Sequence, residues 1–72
     1  MIDYSQFWKT LEQSEENWYT LTKKHRVSDS TLHRLKHNMD ISMKTVNDLC
    51  RILDCDIEDI AVYVPSEKDQ LL

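Results

Sequence analysis

Asp29, Ser30, Thr31, His33 and Arg34 fall within six consecutive positions. Their shared chemistry is that of base-edge recognition in a DNA major groove. Arg34 can donate two hydrogen bonds to O6 and N7 of guanine, and Asp29 can accept one from N4 of cytosine. Ser30 and Thr31 can serve several bases, and Thr31 can also touch a thymine methyl group. On a helix of about 3.6 residues per turn, Asp29, Ser30, His33 and Arg34 share the face opposite Leu32 and Leu35. Ser28 and Asp29 are also ordinary helix-start residues, because a serine caps and a carboxylate suits the positive end of the dipole. Capping alone does not account for His33 and Arg34 on the same outer face.

The charge distribution points the same way. The chain has 72 residues and a net charge of −4. The window from Lys23 to His37 nevertheless carries Lys23, Lys24, Arg26, Arg34 and Lys36 against Asp29 alone, together with all three histidines. A basic face on an acidic body is the electrostatic footprint of a protein that meets a polyanion. An ordinary solvated helix face has a similar mix of charges, so charge by itself leaves both readings open.

Enzyme chemistry finds little support. The sequence contains no glycine, so it has no phosphate-cradling loop of the usual kind. No Ser-His-Asp or Cys-His pair sits in a supporting motif. His33 and His37, at i and i+4, could share a metal ion, but the only nearby third ligand is Asp29. Cys50 and Cys55 fit no zinc spacing. They read as a half-buried core thiol and a small residue at a helix end. No enzyme, cofactor or metal is expected.

The elements that must position these residues are short. Glycine is absent and Pro65 is the only proline, so helices are found from periodicity and caps. A first helix is expected from Tyr4 or Ser5 to Glu15, capped by Asp3, with Phe7, Trp8 and Leu11 on one face. Asn17 caps a second, Trp18 to about Lys24, with Leu21 inward. His25-Arg26-Val27 makes a tight turn. Ser28 caps a third helix from Asp29 to His37, and Asn38 stands where a left-handed stop is needed. Ser42 caps a fourth, Met43 to about Leu53, with Val46, Leu49, Cys50 and Leu53 inward. Asp56 caps a short fifth helix through Ile57, Ile60 and Ala61, ended by Val64-Pro65. Ile60 to Val64 could extend into a short strand.

The expected architecture is therefore all-α: one compact five-helix domain over residues 1–64 and a polar, frayed tail over 65–72. No apolar run approaches the roughly 18 residues of a membrane span. No signal peptide is visible, and a soluble cytoplasmic protein is expected.

Helices two and three, joined by a short turn, make a helix-turn-helix. The run from Asn17 to Asn38 resembles the helix-turn-helix of Cro/cI-type repressors, the Xre family of lambda-repressor-like domains. Leu21-Thr22-Lys23-Lys24 looks like the family's second helix. Val27-Ser28-Asp29-Ser30-Thr31-Leu32-His33-Arg34-Leu35 looks like its turn and recognition helix. Ile41-Ser42, Thr45-Val46 and Leu49-Cys50-Arg51-Ile52-Leu53 look like its fourth helix. Asp56-Ile57-Glu58-Asp59-Ile60 is similar to the fifth-helix ending of short members. The resemblance covers about Ser5 to Val64.

It implies that Asp29, Ser30 and Arg34 occupy base-contact positions, with His33 beside them. It places Asn17 and Trp18 where the second helix meets the phosphate backbone, and Ser28, Lys36, His37, Asn38 and Lys44 near flanking phosphates. Three positions depart from the family pattern. Arg26 stands where glycine is usual, and a non-glycine residue at positive φ costs roughly 1 kcal/mol, so the turn is expected to adopt another shape. Trp18 replaces a polar phosphate binder and either packs on the third helix or turns its indole N–H to a phosphate. Asp29 repels phosphate and must be paired or face cytosine.

The function these readings imply is sequence-specific binding of double-stranded DNA by a transcriptional regulator, most simply a repressor. A homodimer would set two third helices about 34 Å apart over a two-fold symmetric operator. The competing expectation is a protein-interaction module on the same fold, with an apolar patch drawn from Trp8, Trp18, Tyr19 or Tyr63.

Overall fold

The structure, a computed structural model, describes residues 1–69. Four helices form in the order α1 (Ser5–Gln13), α2 (Trp18–Lys23), α3 (Asp29–Lys36) and α4 (Met43–Leu53). A 3₁₀ turn at Ile57–Asp59 follows. Two short strands, β1 (Ile2–Asp3) and β2 (Val62–Tyr63), pair antiparallel with Ile2 opposite Tyr63 and Asp3 opposite Val62.

The caps explain most of the boundaries. Asn17 accepts a hydrogen bond from the Thr20 N–H while Thr20 Oγ1 accepts from the Asn17 N–H, a reciprocal capping box for α2. Ser28 and Ser42 accept from the N–H groups of Thr31 and Thr45 and start α3 and α4. Asp3 does not cap α1: its carboxylate accepts from the Ser5 hydroxyl at 2.6 Å, and the residue before the helix is Tyr4. α1 also stops at Gln13 rather than Glu15, because Ser14 turns extended, donates its hydroxyl to the Leu11 carbonyl at 2.7 Å and accepts from Glu16 N–H.

Three residues take the left-handed conformation and none is glycine: Arg26 (φ 59°), Asn38 (φ 53°) and Asp54 (φ 51°). Asn38 closes α3, with Met39 N–H donating back to the Arg34 carbonyl at 2.8 Å. Asp54 closes α4 in the same way through Cys55 N–H and the Cys50 carbonyl.

The fifth helix is corrected to a single 3₁₀ turn. Asp59 accepts from the Asp56 N–H at 3.0 Å and pins that turn, Ile60 is fully buried, and the chain then straightens. Val62, Tyr63 and Val64 favour extended backbone, and Pro65 disfavours helix at the residue before it. The strand foreseen within Ile60 to Val64 forms, and its partner is the N-terminal Ile2–Asp3. Ser66 to Asp69, within the expected polar tail, forms a turn in which the Asp69 N–H donates to the Ser66 carbonyl and the Asp69 carboxylate accepts from the Met1 amine at 2.8 Å. Residues 70–72 of that tail lie outside the described residues.

One core joins these pieces. Tyr4, Phe7 and Leu11 from the N-terminal part meet Leu21 of α2, Leu32 and Leu35 of α3, Val46 and Leu49 of α4, and Ile60. No charged or polar side chain is buried among the described residues. Fully burying each of these apolar side chains stabilises the fold by about 1.5–3 kcal/mol before chain entropy is counted.

Candidate nucleic-acid interface

α3 is eight residues long and buries only Leu32 and Leu35. With about 100° between successive residues, Ser30, His33, Arg34 and His37 lie opposite that buried pair, and all four are exposed. Asp29 and Lys36 occupy one flank and Thr31 the other. The anchoring leucines thus leave a free face at the N-terminal half of a short helix, which is the geometry a groove-reading element needs.

The flank carrying Asp29 and Lys36 is built by aromatic rings. Phe7, deep in the core, meets the edge of Trp8 at a centroid distance of 4.8 Å. Trp8 stacks on Trp18 at 5.9 Å with 20° between the ring planes. Trp18 in turn meets His33 edge-on at 5.4 Å. Its indole Nε1–H donates to Asp29 Oδ1 at 2.9 Å. A continuous ladder therefore runs from the core of α1 through α2 to the exposed face of α3, and Lys36 borders the cavity beside the two indoles. Aromatic pairs of this kind contribute about 0.5–1.5 kcal/mol each beyond their burial.

Both open questions about Trp18 and Asp29 receive one answer. Trp18 packs on α3, and Asp29 is paired by the indole N–H. While that bond holds, the indole N–H is not directed at a phosphate, and Asp29 has one oxygen left to offer. The expectation of another turn shape is corrected: Arg26 takes the left-handed conformation of a glycine despite its side chain.

Thr31 faces α4. It is half-buried, its hydroxyl lies 2.8 Å from Ser28 Oγ, and it lines an open cavity of about 250 Å³ with Arg26, Thr45, Asp48 and Arg51. His25, also on that side, places Nε2 3.1 Å from Glu16 Oε2. The Glu16 carboxyl is held below its ordinary value, first by the Thr20 hydroxyl and then by Lys24 and His25.

The residues assigned to phosphates are spread over four places. Asn17 is the α2 cap, Ser28 the α3 cap, and His37 and Asn38 follow α3. Asn38 Oδ1 accepts from the Tyr4 N–H at 3.0 Å and its amide donates to Asp3 at 3.3 Å, so this side chain fastens the N-terminal segment to the end of α3. Lys44 extends from the first turn of α4, with its ammonium 3.0 Å from Asp48. Lys44, followed by Arg51, holds the Asp48 carboxyl below its usual range.

Among the described residues no three His, Cys, Asp or Glu side chains are grouped closely enough to hold a metal ion. Cys50 and Cys55 are both free, and burial, followed by the neighbouring Cys50, lifts the Cys55 thiol to about 11, which makes it a poor nucleophile at neutral pH. No helix of the described residues is long and apolar enough to cross a membrane.

Packing of Trp18 on the third helix was one of the two sequence alternatives; its stack on Trp8 and its bond to Asp29 had no sequence signal of their own. Trp8 reads as one residue of an amphipathic face, and Trp18 precedes Asp29 by eleven positions, a spacing with no local meaning. The weak signal available was Asp29 itself, an acid on a face otherwise suited to DNA, which required a partner.

With α2, the left-handed turn at Arg26 and the exposed face of α3 in place, the class is a helix-turn-helix DNA-binding domain. A family model of the Cro/C1-type helix-turn-helix DNA-binding domain matches residues 7–66, and the chain belongs to that family. Among solved structures, the chain is similar to the crystal structure of the transcriptional regulator VanUg, with 29% sequence identity and a TM-score of 0.79. The match covers 90% of this chain and 87% of that one. No curated protein matches.

Proposed function

We propose that the chain is a transcriptional regulator, acting as a repressor, that binds double-stranded DNA sequence-specifically by laying α3 in the major groove. The observation that carries this reading is the outer face of α3, where Ser30, His33 and Arg34 are exposed above a buried Leu32–Leu35 anchor. Arg34 reads guanine, Ser30 and His33 read the neighbouring bases, and Asp29 and Thr31 bound the face on its two flanks. Asn17, Ser28, Lys36, His37, Asn38 and Lys44 supply the candidate phosphate contacts that set register. VanUg, described as a transcriptional regulator, adds weight to the regulatory role.

A short recognition helix gives little affinity alone, so the reading includes a homodimer with its two α3 helices about 34 Å apart. The second reading, a protein-interaction module, draws on one observation. Met43, Ile57, Tyr63 and Ile2 are exposed around an apolar groove of about 290 Å³ on the side of β1, β2 and α4. That groove serves equally as the surface on which two copies meet.

The deciding experiment is a selection of the purified chain against a random duplex pool at moderate salt, repeated with Arg34→Ala. A two-fold symmetric motif that loses discrimination at one position in each half-site, by about 1–3 kcal/mol, supports the dimeric reader. A single half-site supports a monomeric reader. No enrichment from a folded wild type turns the assignment to the protein-interaction module.

A further inference from the structure

The indole of Trp18 has one polar hydrogen and no acceptor. That hydrogen goes to Asp29 Oδ1 at 2.9 Å. The ring cannot easily turn away, since Trp8 stacks on it and His33 meets it edge-on. A fixed neighbour that only donates imposes a polarity on position 29: the side chain there must turn an acceptor inward. Asp29 meets this demand with Oδ1 and is left with Oδ2, a second acceptor, in the exposed first turn of α3.

We propose that Trp18 is a specificity-determining positioning residue: by holding Oδ1 it presents Oδ2 of Asp29 to the exocyclic amine of a cytosine. This rests on the DNA-reading role proposed above. Cytosine offers its N4 donor in the major groove with no acceptor beside it, whereas adenine sets the N7 acceptor next to its N6 amine. Guanine presents O6 and N7 and thymine presents O4, all acceptors, which a carboxylate rejects. Asp29, the one acid in the basic window, then acts as a selector rather than a liability. Trp18 selects without touching the base.

The polarity argument makes an unusual demand on Asp29→Asn. An asparagine must also turn its oxygen to the Trp18 N–H, so its amide NH₂ points outward as a donor. The preferred base opposite residue 29 then switches from cytosine to one bearing an acceptor: guanine, thymine, or adenine through N7. Trp18→Phe keeps a ring between Trp8 and His33 but cannot donate, so it removes the imposed polarity.

The test is the random-duplex selection with wild type, Asp29→Asn, Trp18→Phe and the double variant, each first shown folded by circular dichroism. The expected result is a cytosine column in wild type that switches to an acceptor-bearing base, guanine, thymine or adenine, in Asp29→Asn. In Trp18→Phe the cytosine preference falls roughly tenfold. In the double variant the asparagine rotates freely and the column loses its polarity. Because Asp29→Asn leaves the aromatic ladder intact, its base switch decides the matter even if Trp18→Phe does not fold. A wild-type motif with no cytosine column, or a column unchanged in Asp29→Asn, overturns the inference while leaving the DNA-reading role standing. A folded wild type that enriches no motif overturns that role and the inference with it.

Discussion

The two flanks of α3 are held by different physics. On the flank of Asp29 and Lys36, rings interlock from Phe7 to His33 and end in a directed hydrogen bond from Trp18. On the flank of Thr31, an open cavity of about 250 Å³ separates α3 from α4, and its rim carries Arg26, Thr45, Asp48 and Arg51. Buried Leu32 and Leu35 set how deep the helix sits and, by holding one face inward, which face is left outside. The aromatic flank adds rotational definition to that anchor, because edge-on and stacked rings with a hydrogen bond are directional while apolar burial is not. A reading helix needs that rotational definition, since a small turn redirects every base-contacting side chain. The cavity flank can hold water and tolerate small shifts.

The sharpest way to break this comparison is Trp18→Ala. It removes the stack on Trp8, the contact with His33 and the bond to Asp29 together. The expected loss is about 2–4 kcal/mol, below the range for a fully buried tryptophan because this ring is only half-buried. Urea denaturation monitored by circular dichroism measures it. A loss as small as that of a cavity-flank substitution would mean that the two flanks hold α3 equally.

The asymmetry also marks where sequence reading stopped. The start of α3, its buried leucines, the Asn38 stop and the Ser42 cap were all legible, because caps and periodicity are local properties of a few residues. Of the outer face, Ser30, His33 and Arg34 were legible, whereas Asp29 lies on the flank and His37 joins the face. Legibility ended where contacts span the chain. The bond between Trp18 and Asp29, the stack of Trp8 on Trp18 and the pairing of Ile2–Asp3 with Val62–Tyr63 join segments with no sequence relation. The fifth helix failed for a related reason. Asp56 starts the turn, but the side chain that pins it is Asp59, which accepts from the Asp56 N–H, and the tendency of Val62–Tyr63 to extend, realised by pairing with the N-terminal Ile2–Asp3, leaves one 3₁₀ turn.

A second, smaller effect probes the cavity flank from its backbone. Arg26 is held at φ 59°, where a Cβ is crowded by the following carbonyl. Arg26→Gly relieves that strain, and part of the gain is offset by the greater freedom of glycine in the unfolded chain. The expected net stabilisation is about 0.5–1 kcal/mol, seen as a rise of a few degrees in Tm for a domain of this size. The opposite sign from Trp18→Ala is the point: one flank is near its optimum and the other is not. A destabilised Arg26→Gly would show that the arginine side chain contributes more on the cavity rim than its backbone strain removes.

The smallest expected effect comes from Thr31→Val, which keeps the shape of the side chain and deletes its hydroxyl. That hydroxyl lies 2.8 Å from Ser28 Oγ, while Ser28 Oγ still accepts from the Thr31 N–H at 3.1 Å and has Ser30 Oγ within 3.1 Å. The α3 cap therefore survives, water in the open cavity can replace the lost partner, and stability should fall by less than about 1 kcal/mol. The same variant separates two ways in which Thr31 can serve DNA. Read through its methyl group, a thymine contact persists in valine and the selected motif is unchanged; read through its hydroxyl, one motif column changes. Because the hydroxyl already serves the helix start, the unchanged motif is expected. A changed column would bring Thr31 off the flank and into the reading face, and would mean that the cavity side contributes to recognition as directly as the aromatic side does.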